Sequence, residues 1–347
     1  MKRFVLSLFV LIPAIFAVIM LAFPDKEVSE LENRSLTTKK DISFNFLDGD
    51  FQDSLDGFVS DQFPFRDELV YFQTWLYYSS GQREIKGAYI CDDGRLIQLI
   101  TDSDIDKKRL ISYAEKINRL AKDNTVYVMY IPSACVELKN QMPAGRASYN
   151  YPSLYKALGD CLSNAEMIDL SDKLTDEKYY YKTDHHWTAD GAYIAYKSFC
   201  EAKSEHVKDF DSFEAETVSN DFRGTLFSKV PISKQTDEIK IPSVSDVKTI
   251  ADGQIIDFYC LDALETKDKY NVFQGGNHGT VEITNENGNG KTLLILKDSF
   301  ANSFVPFIAD EYSKIVMLDE RYTFLSLEDY VSSLSPDEIL VLREIIN

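Results

Sequence analysis

The sequence predicts an α/β fold: a parallel sheet flanked by helices, interrupted by a β-rich insertion and preceded by an N-terminal transmembrane helix. Three observations carry this. Short, nearly continuous apolar strands alternate with amphipathic helical stretches, the pattern of a parallel sheet covered on both faces. That alternation breaks between residues 205 and 290 and then resumes. An uncharged apolar run opens the chain.

The opening run extends from Phe4 to Phe23, after Lys2 and Arg3 and before Pro24, Asp25 and Lys26. About twenty helical residues reach ~30 Å, the thickness of a bilayer's hydrocarbon core. Basic residues before it and acidic ones after it (Asp25, Glu27, Glu30, Glu32) place the N-terminus inside and the rest outside. A cleaved signal peptide is the competing reading, and Met20, Ala22 and Phe23 make a poor small-residue cleavage site for it. Residues 1–24 are therefore read as an anchor, giving a single-pass protein of the cell membrane with its main domain extracytoplasmic.

Residues 25–85 form a polar, then aromatic N-terminal segment, in which Leu69, Phe72, Trp75 and Leu76 recur at helical spacing. The first part of the α/β domain, 86–204, opens with a hairpin around Asp93-Gly94. A helical stripe over 103–122, a strand at Thr125–Ile131, a helix at 153–162, a strand at 166–170 and a helix at 190–203 follow. Within 205–290, short alternating segments at 224–230, 238–244, 254–261 and 279–284 read as strands of the insertion. The second part, 291–347, resumes the alternation. Strands at 291–297, 314–318 and 338–342 are separated by helices at 299–311 and 327–334.

Composition narrows the function classes. In 347 residues, 37 Lys and Arg face 56 Asp and Glu, a net charge of −19. Nucleic acid is thereby excluded as a partner, since such binding rests on cationic neutralisation of phosphates. The five cysteines form no C-x-x-C pair, which speaks against a disulfide scaffold or a four-cysteine zinc site.

Two stretches carry chemistry. One is Thr183-Asp184-His185-His186-Trp187-Thr188-Ala189-Asp190-Gly191, in the turn before the 190–203 helix; the other is Leu296-Lys297-Asp298-Ser299-Phe300-Ala301-Asn302-Ser303, where a buried strand hands over to a helix. Turns after the carboxyl ends of parallel strands are where open α/β sheets hold their sites. A serine there projects from the sheet edge, with the free N–H groups of the helix's first turn facing the same space. It needs a base, and a histidine oriented by a carboxylate supplies one. Asp184 and His186 have the spacing for that pair. Ser299 and Asp184 could equally be capping residues, and Trp187 with Tyr179–Tyr181 could be packed aromatics or a sugar platform. A His-His pair invites metal, but His206 and His278 are remote and in no spaced motif, so no metal is assigned. No cofactor is called for.

Asp184-His185-His186-Trp187 resembles the signature of the DHHW proteins. These are similar to the acetyltransferase domain of the alginate O-acetyltransferases (AlgJ/AlgX type), within the SGNH hydrolase-like fold. Glu32-Asn33-Arg34, Asp61-Gln62-Phe63-Pro64-Phe65-Arg66 and the Lys297–Phe300 turn fall in the expected order, so the resemblance covers most of the chain from about residue 25. It implies a triad of Asp184, His186 and Ser299 in permuted chain order. His185 takes a secondary or structural role, as does Trp187, because the position of His185 is not histidine in the alginate enzymes. Lys297 stands where ordinary SGNH enzymes have glycine, and their oxyanion glycine and asparagine have no secure match. Arg321 with Tyr322, after the 314–318 strand, is the preferred source of an added oxyanion or substrate contact, and Asn277 the other. A structural Arg321 paired with Asp319 or Glu320 is the alternative for that residue.

Three functions remain open on this reading. The first is an extracytoplasmic O-acyltransferase, acting on hydroxyls of a cell-surface polysaccharide through an acyl-serine. The second is an esterase or deacetylase with the same triad, and the third a non-catalytic glycan-binding surface protein. Acetyl donors are cytoplasmic and this domain is outside, so a transferase needs a membrane partner. The resemblance implies one of the membrane-bound O-acyltransferase type. A tethered domain suits that arrangement, and the transferase is favoured.

Overall fold

In the computed structural model the described residues are 2–46, 48–146, 148–323 and 326–345, with the side chains of residues 2–10 outside that description. The chain divides into two units, Met1–Lys86 with Ser228–Ile232, and Gly87–Phe227 with Ser233–Asn347.

Among its described residues the first unit has the α-helices α1 (Lys2–Ala22), α2 (Asp50–Asp61) and α3 (Arg66–Ser79). The expected anchor coincides with α1, but part of it falls on side chains outside the described residues. Among the described residues no helix is long and apolar enough to cross a membrane. The two sequence motifs of this unit meet in one ionic cluster. Arg34 holds both carboxylate oxygens of Asp61, at 3.0 and 2.5 Å, and its Nε donates to Glu32 at 3.0 Å. Arg66 closes the cluster on Glu32. Burial would raise the Glu32 carboxyl, but hydrogen bonds from Arg66, Lys86 and Arg34 outweigh it and hold it down to about 2.

The second unit begins with a hairpin, β1 (Ala88–Ile90) and β2 (Leu96–Gln98). Then come α4 (Lys107–Leu120), β3 (Thr125–Ile131), α5 (Tyr151–Cys161), β4 (Glu166–Met167) and α6 (Ala189–Ala202). The middle of the chain supplies β5 (Glu216–Phe222), β6 (Asp237–Ile241), β7 (Lys248–Ala251), β8 (Gln254–Ile256) and β9 (Thr280–Thr284). The last stretch holds β10 (Thr292–Lys297), α7 (Phe300–Phe304), β11 (Lys314–Leu318), α8 (Leu327–Leu334) and β12 (Glu338–Glu344).

Eight strands form one sheet in the order β8-β7-β9-β11-β10-β12-β3-β4. From β11 to β4 every pairing is parallel, with Leu294 beside both Val316 and Ile339. All seven residues of β12 are buried, as are five of the six in β10, so these strands are covered on both faces. That is why their sequences run apolar without alternation. Helix α4 packs on α5, and α6 on α7.

The predicted elements hold except where the chain is irregular. The 205–290 segment is not a separate layer: β9 pairs antiparallel with β11, and β7 and β8 extend that edge. Half-buried alternation such as that of β9 suits an antiparallel edge. Only β5 and β6 stand apart as a two-stranded ladder, broken by register shifts. Residues 224–230, expected as a strand, include the short helix Thr225–Lys229, whose first N–H is taken by the Asp184 carboxylate rather than by a ladder. Of 254–261 only Gln254–Ile256 is extended. The helix expected over 299–311 stops at Phe304 and tightens into a 3-10 turn over Val305–Phe307, where Pro306 lacks an amide to continue it.

Glu344 ends β12 as a buried carboxyl. The Ser133 hydroxyl donates to it at 2.5 Å, and its own amide donates to Asp298 Oδ2 at 2.7 Å. Burial, aided by the nearby Asp298 charge, pushes Glu344 up to about 8 from an ordinary 4.5, against the Ser133 hydrogen bond. The folded state therefore keeps a proton that the unfolded chain gives up, and this contribution is full below the ordinary value and lost as pH rises through about 8. Glu344→Gln should flatten the fall in stability across that window. Urea unfolding of both proteins at about pH 5, 6.5 and 8 checks it; parallel curves would contradict the shift.

Candidate active site

The carboxyl ends of β10, β11 and β12 form one crest of the sheet. Lys297 leaves β10, and Ser299 sits at the start of α7 with φ −65° and ψ −17°. Its hydroxyl makes no capping bond to the helix. It lies instead 2.6 Å from Nε2 of His186. The other ring nitrogen of His186, Nδ1, is 2.5 Å from Asp184 Oδ1, which also accepts the His186 amide at 3.0 Å. The capping alternative for Ser299 is thus not what the chain adopts. Residues 113 positions apart are joined in one hydrogen-bonded line.

Several groups fix that line. Tyr270 stacks on the His186 ring, with centroids 4.1 Å apart and planes 11° apart. The Tyr270 hydroxyl donates to the Ser299 carbonyl at 3.1 Å. Trp187 is fully buried and donates its indole N–H to Ser303 at 2.9 Å and to the Phe300 carbonyl at 3.1 Å. It is a packed aromatic that fastens the histidine turn to α7. Tyr180 and Tyr181 are buried as well.

Asp184 is held from the far side by the amide and hydroxyl of Thr225, at 2.6 and 3.0 Å. Burial would raise its carboxyl, but His185, His186 and the Thr225 amide outweigh that, and it stays well below the usual carboxylate range. His185 engages the supporting groups instead, its Nδ1 at 2.8 Å from the Thr225 hydroxyl and 3.5 Å from Asp184 Oδ1. Asp237 shapes the turn by accepting the amides of Lys182 and Thr183 at 2.7 and 2.8 Å. Gly224 passes so close to Asp184 that a Cβ there would stand 2.1 Å from Oδ2. Thr225→Val keeps the amide bond but removes the hydroxyl shared by Asp184 and His185. It should cost about 1 kcal/mol of stability and lower turnover far less than loss of a member of the Ser299–His186–Asp184 line. Thermal melts and kcat for an activated acetyl ester check this.

The first-turn donors differ from expectation. The Phe300 amide is taken by Asp298 Oδ1 at 3.0 Å, Ala301 by the Asp298 carbonyl and Asn302 by the Ser299 carbonyl. A short, tightly wound α7 uses these amides internally. Asn277 and Tyr322 are exposed, and Arg321 is fastened to Asp319 through Nε at 2.9 Å and Nη2 at 2.7 Å. Among the described residues none of the three bonds to the Ser299 hydroxyl. The loop before Asn277 is nevertheless drawn to α7, because Asn302 donates to the Gly276 carbonyl at 3.1 Å while Lys297 donates to Asn302 at 2.7 Å. Burial lowers Lys297 to about 8, against the charges of Asp319 and Asp298.

Asp184, His185 and His186 bring ligand atoms within 4.8 Å of one another and form a possible metal group among the described residues. A cation bound through His186 would have to displace Asp184 from Nδ1 or Ser299 from Nε2. His278 is engaged elsewhere, with Asp252 and the Gln274 carbonyl. Thr225, Gly224, Asp237 and Tyr270 were not marked by the sequence. The first two lie about forty residues from Asp184 in no spaced motif.

Comparison with known proteins follows this geometry. The profile of the DHHW protein family matches residues 111–318. A crystal structure of a DHHW family protein from Eubacterium siraeum is similar, at 25% identity and a TM-score of 0.64, covering 76% of this chain and 92% of that one. Bacillus cereus PatB1 with a sulfonyl adduct shares the fold, at 18% identity and a TM-score of 0.62, covering 74% and 93%. The O-acetyltransferase domain of Pseudomonas putida AlgJ matches at 12% identity and a TM-score of 0.47, over 75% and 91%. No curated protein sequence matches.

Proposed function

The chain belongs to the DHHW family, and we propose that it is an extracytoplasmic O-acyltransferase that places acetyl groups on hydroxyls of a cell-surface polysaccharide. The observation that carries this reading is the hydrogen-bonded line Ser299–His186–Asp184. In the first half-reaction Ser299 Oγ attacks the acyl carbonyl and His186 Nε2 takes its proton. Asp184 stabilises the imidazolium, and the leaving group departs with the proton. In the second, a sugar hydroxyl attacks the acyl-serine and gives its proton to His186, which passes a proton to Ser299 Oγ as the bond from that oxygen to the acyl carbon breaks. With three first-turn amides engaged, the oxyanion contact falls to groups outside them. Arg321, Tyr322 and Asn277 are our candidates.

The apolar run Phe4–Phe23 supports a single-pass anchor, since the backbone of Lys2–Ala22 is helical. A tethered domain suits a membrane-bound O-acyltransferase as the source of the acyl group. The reading is tested by deleting the gene and measuring O-acetyl content of the surface polysaccharide. A transferase predicts loss. A gain would favour the esterase, and no change the glycan-binding protein.

A further inference from the structure

We propose that the cavity between α4 and the carboxyl ends of β10, β11 and β12 is an anion subsite, taking the carboxylate of an acidic sugar in the acceptor polymer. It rests on the transferase reading for its purpose, and on its own geometry for its existence. The cavity measures about 160 Å³ and is lined by Arg109, Tyr113, Lys297, Asp319 and Arg321, together with Arg343. Arg343 is the informative residue. It is only 7% exposed, and its guanidinium lies 4.7 Å over the Tyr113 ring. Its Nε and the Tyr113 hydroxyl are both buried without a hydrogen-bond partner. Among the described residues no carboxylate pairs with Arg343.

A buried cation without an acceptor is costly unless something supplies one. The nearby acids are already committed. Asp319 is bonded to Arg321, and Glu320 to Lys116 at 2.8 Å, while Asp298, whose charge reaches Arg343, spends both carboxylate oxygens on the amides of Phe300 and Glu344. Arg343 and the exposed Arg109 therefore leave a local positive excess in a chain whose net charge is −19. A guanidinium presents parallel donors that match a planar carboxylate. A space of this size admits a carboxyl group with a few ring atoms, not a whole sugar chain. Lys297 lines the cavity and donates to Asn302 in α7, the helix that Ser299 opens, which ties the cavity to the nucleophile's turn.

The test is calorimetric binding to the full chain in detergent, with glucuronate, glucose and inorganic phosphate as probes. Glucuronate should bind, weaken with added salt and be unaffected by Ser299→Ala. Arg343→Gln should weaken it about tenfold or more, the loss of a charge-assisted bond, and Arg109→Gln by a smaller factor. Should Arg343→Gln fail to fold, the exposed Arg109→Gln carries the comparison. Equal binding of glucose, tighter binding of phosphate, no binding of glucuronate, or binding indifferent to the arginine changes would each overturn the subsite. Sulfonyl labelling of Ser299 in the same preparation separates the two ideas. Labelling without glucuronate binding removes the subsite and leaves the transferase, while binding without labelling does the reverse.

Discussion

Ser299→Ala should abolish covalent labelling by a serine-directed sulfonyl reagent and lower acyl transfer by about 10⁶-fold, with an unchanged melting profile. The magnitude follows from the way such groups act as one unit. His186 Nε2 and the Ser299 hydroxyl are 2.6 Å apart, so either alone has nothing to exchange a proton with. His186→Ala should therefore cost as much as Ser299→Ala, and the double variant little more than either. Asp184→Asn should cost about 10⁴-fold, by the measure of other such triads. His185→Ala should be mild, because its ring faces Thr225. Equal damage from His185→Ala and His186→Ala, with both folded, would sink the assignment.

The second large effect is expected at a residue with no side chain. Gly224→Ala would place a methyl group 2.1 Å from Asp184 Oδ2 and 2.3 Å from its Cβ. Backbone and carboxylate cannot both stay in place. Overpacking of this kind costs about 1–3 kcal/mol, and here the displaced group is the one that orients His186. We expect lowered stability together with a loss of turnover approaching that of Asp184→Asn. Gly159→Ala is the control, since it lies within α5 with nothing inside 4 Å of the added atom. It should be neutral or slightly stabilising. A Gly224→Ala enzyme of normal activity would show that Asp184 is not held as described.

The parallel half of the sheet was legible because its strands are buried on both faces, and Thr125–Ile131, Lys314–Leu318 and Glu338–Leu342 carry that in their composition. The edge was not. Residues 248–251 and 280–284 alternate like any half-exposed strand, and nothing local says which sheet they join. The Asp184, His186 and Ser299 positions were found because each sits in a short motif at a turn. Their supports were missed for the opposite reason. Tyr270 reads as one more aromatic and Thr225 as one more strand threonine until the fold brings each against the histidine turn. Glu32-Asn33-Arg34 and Asp61-Gln62-Phe63-Pro64-Phe65-Arg66 carry the resemblance but no chemistry legible in the sequence; the Arg34–Asp61 and Arg66–Glu32 pairs give them a structural role.

The place of β12 has a consequence for how the protein is made. It lies between β10 and β3, pairing with both, although its residues are the last of the sheet to be synthesised. A growing chain can assemble β3 with β4, and β10 with β11, but these two halves stay unjoined until residues 338–344 arrive. Each half then offers a bare, apolar edge, the feature that recruits foreign strands. Pairings this distant in sequence also form slowly. The last strand thus acts as a keystone, and quality control of the nascent protein has a long interval in which to capture it.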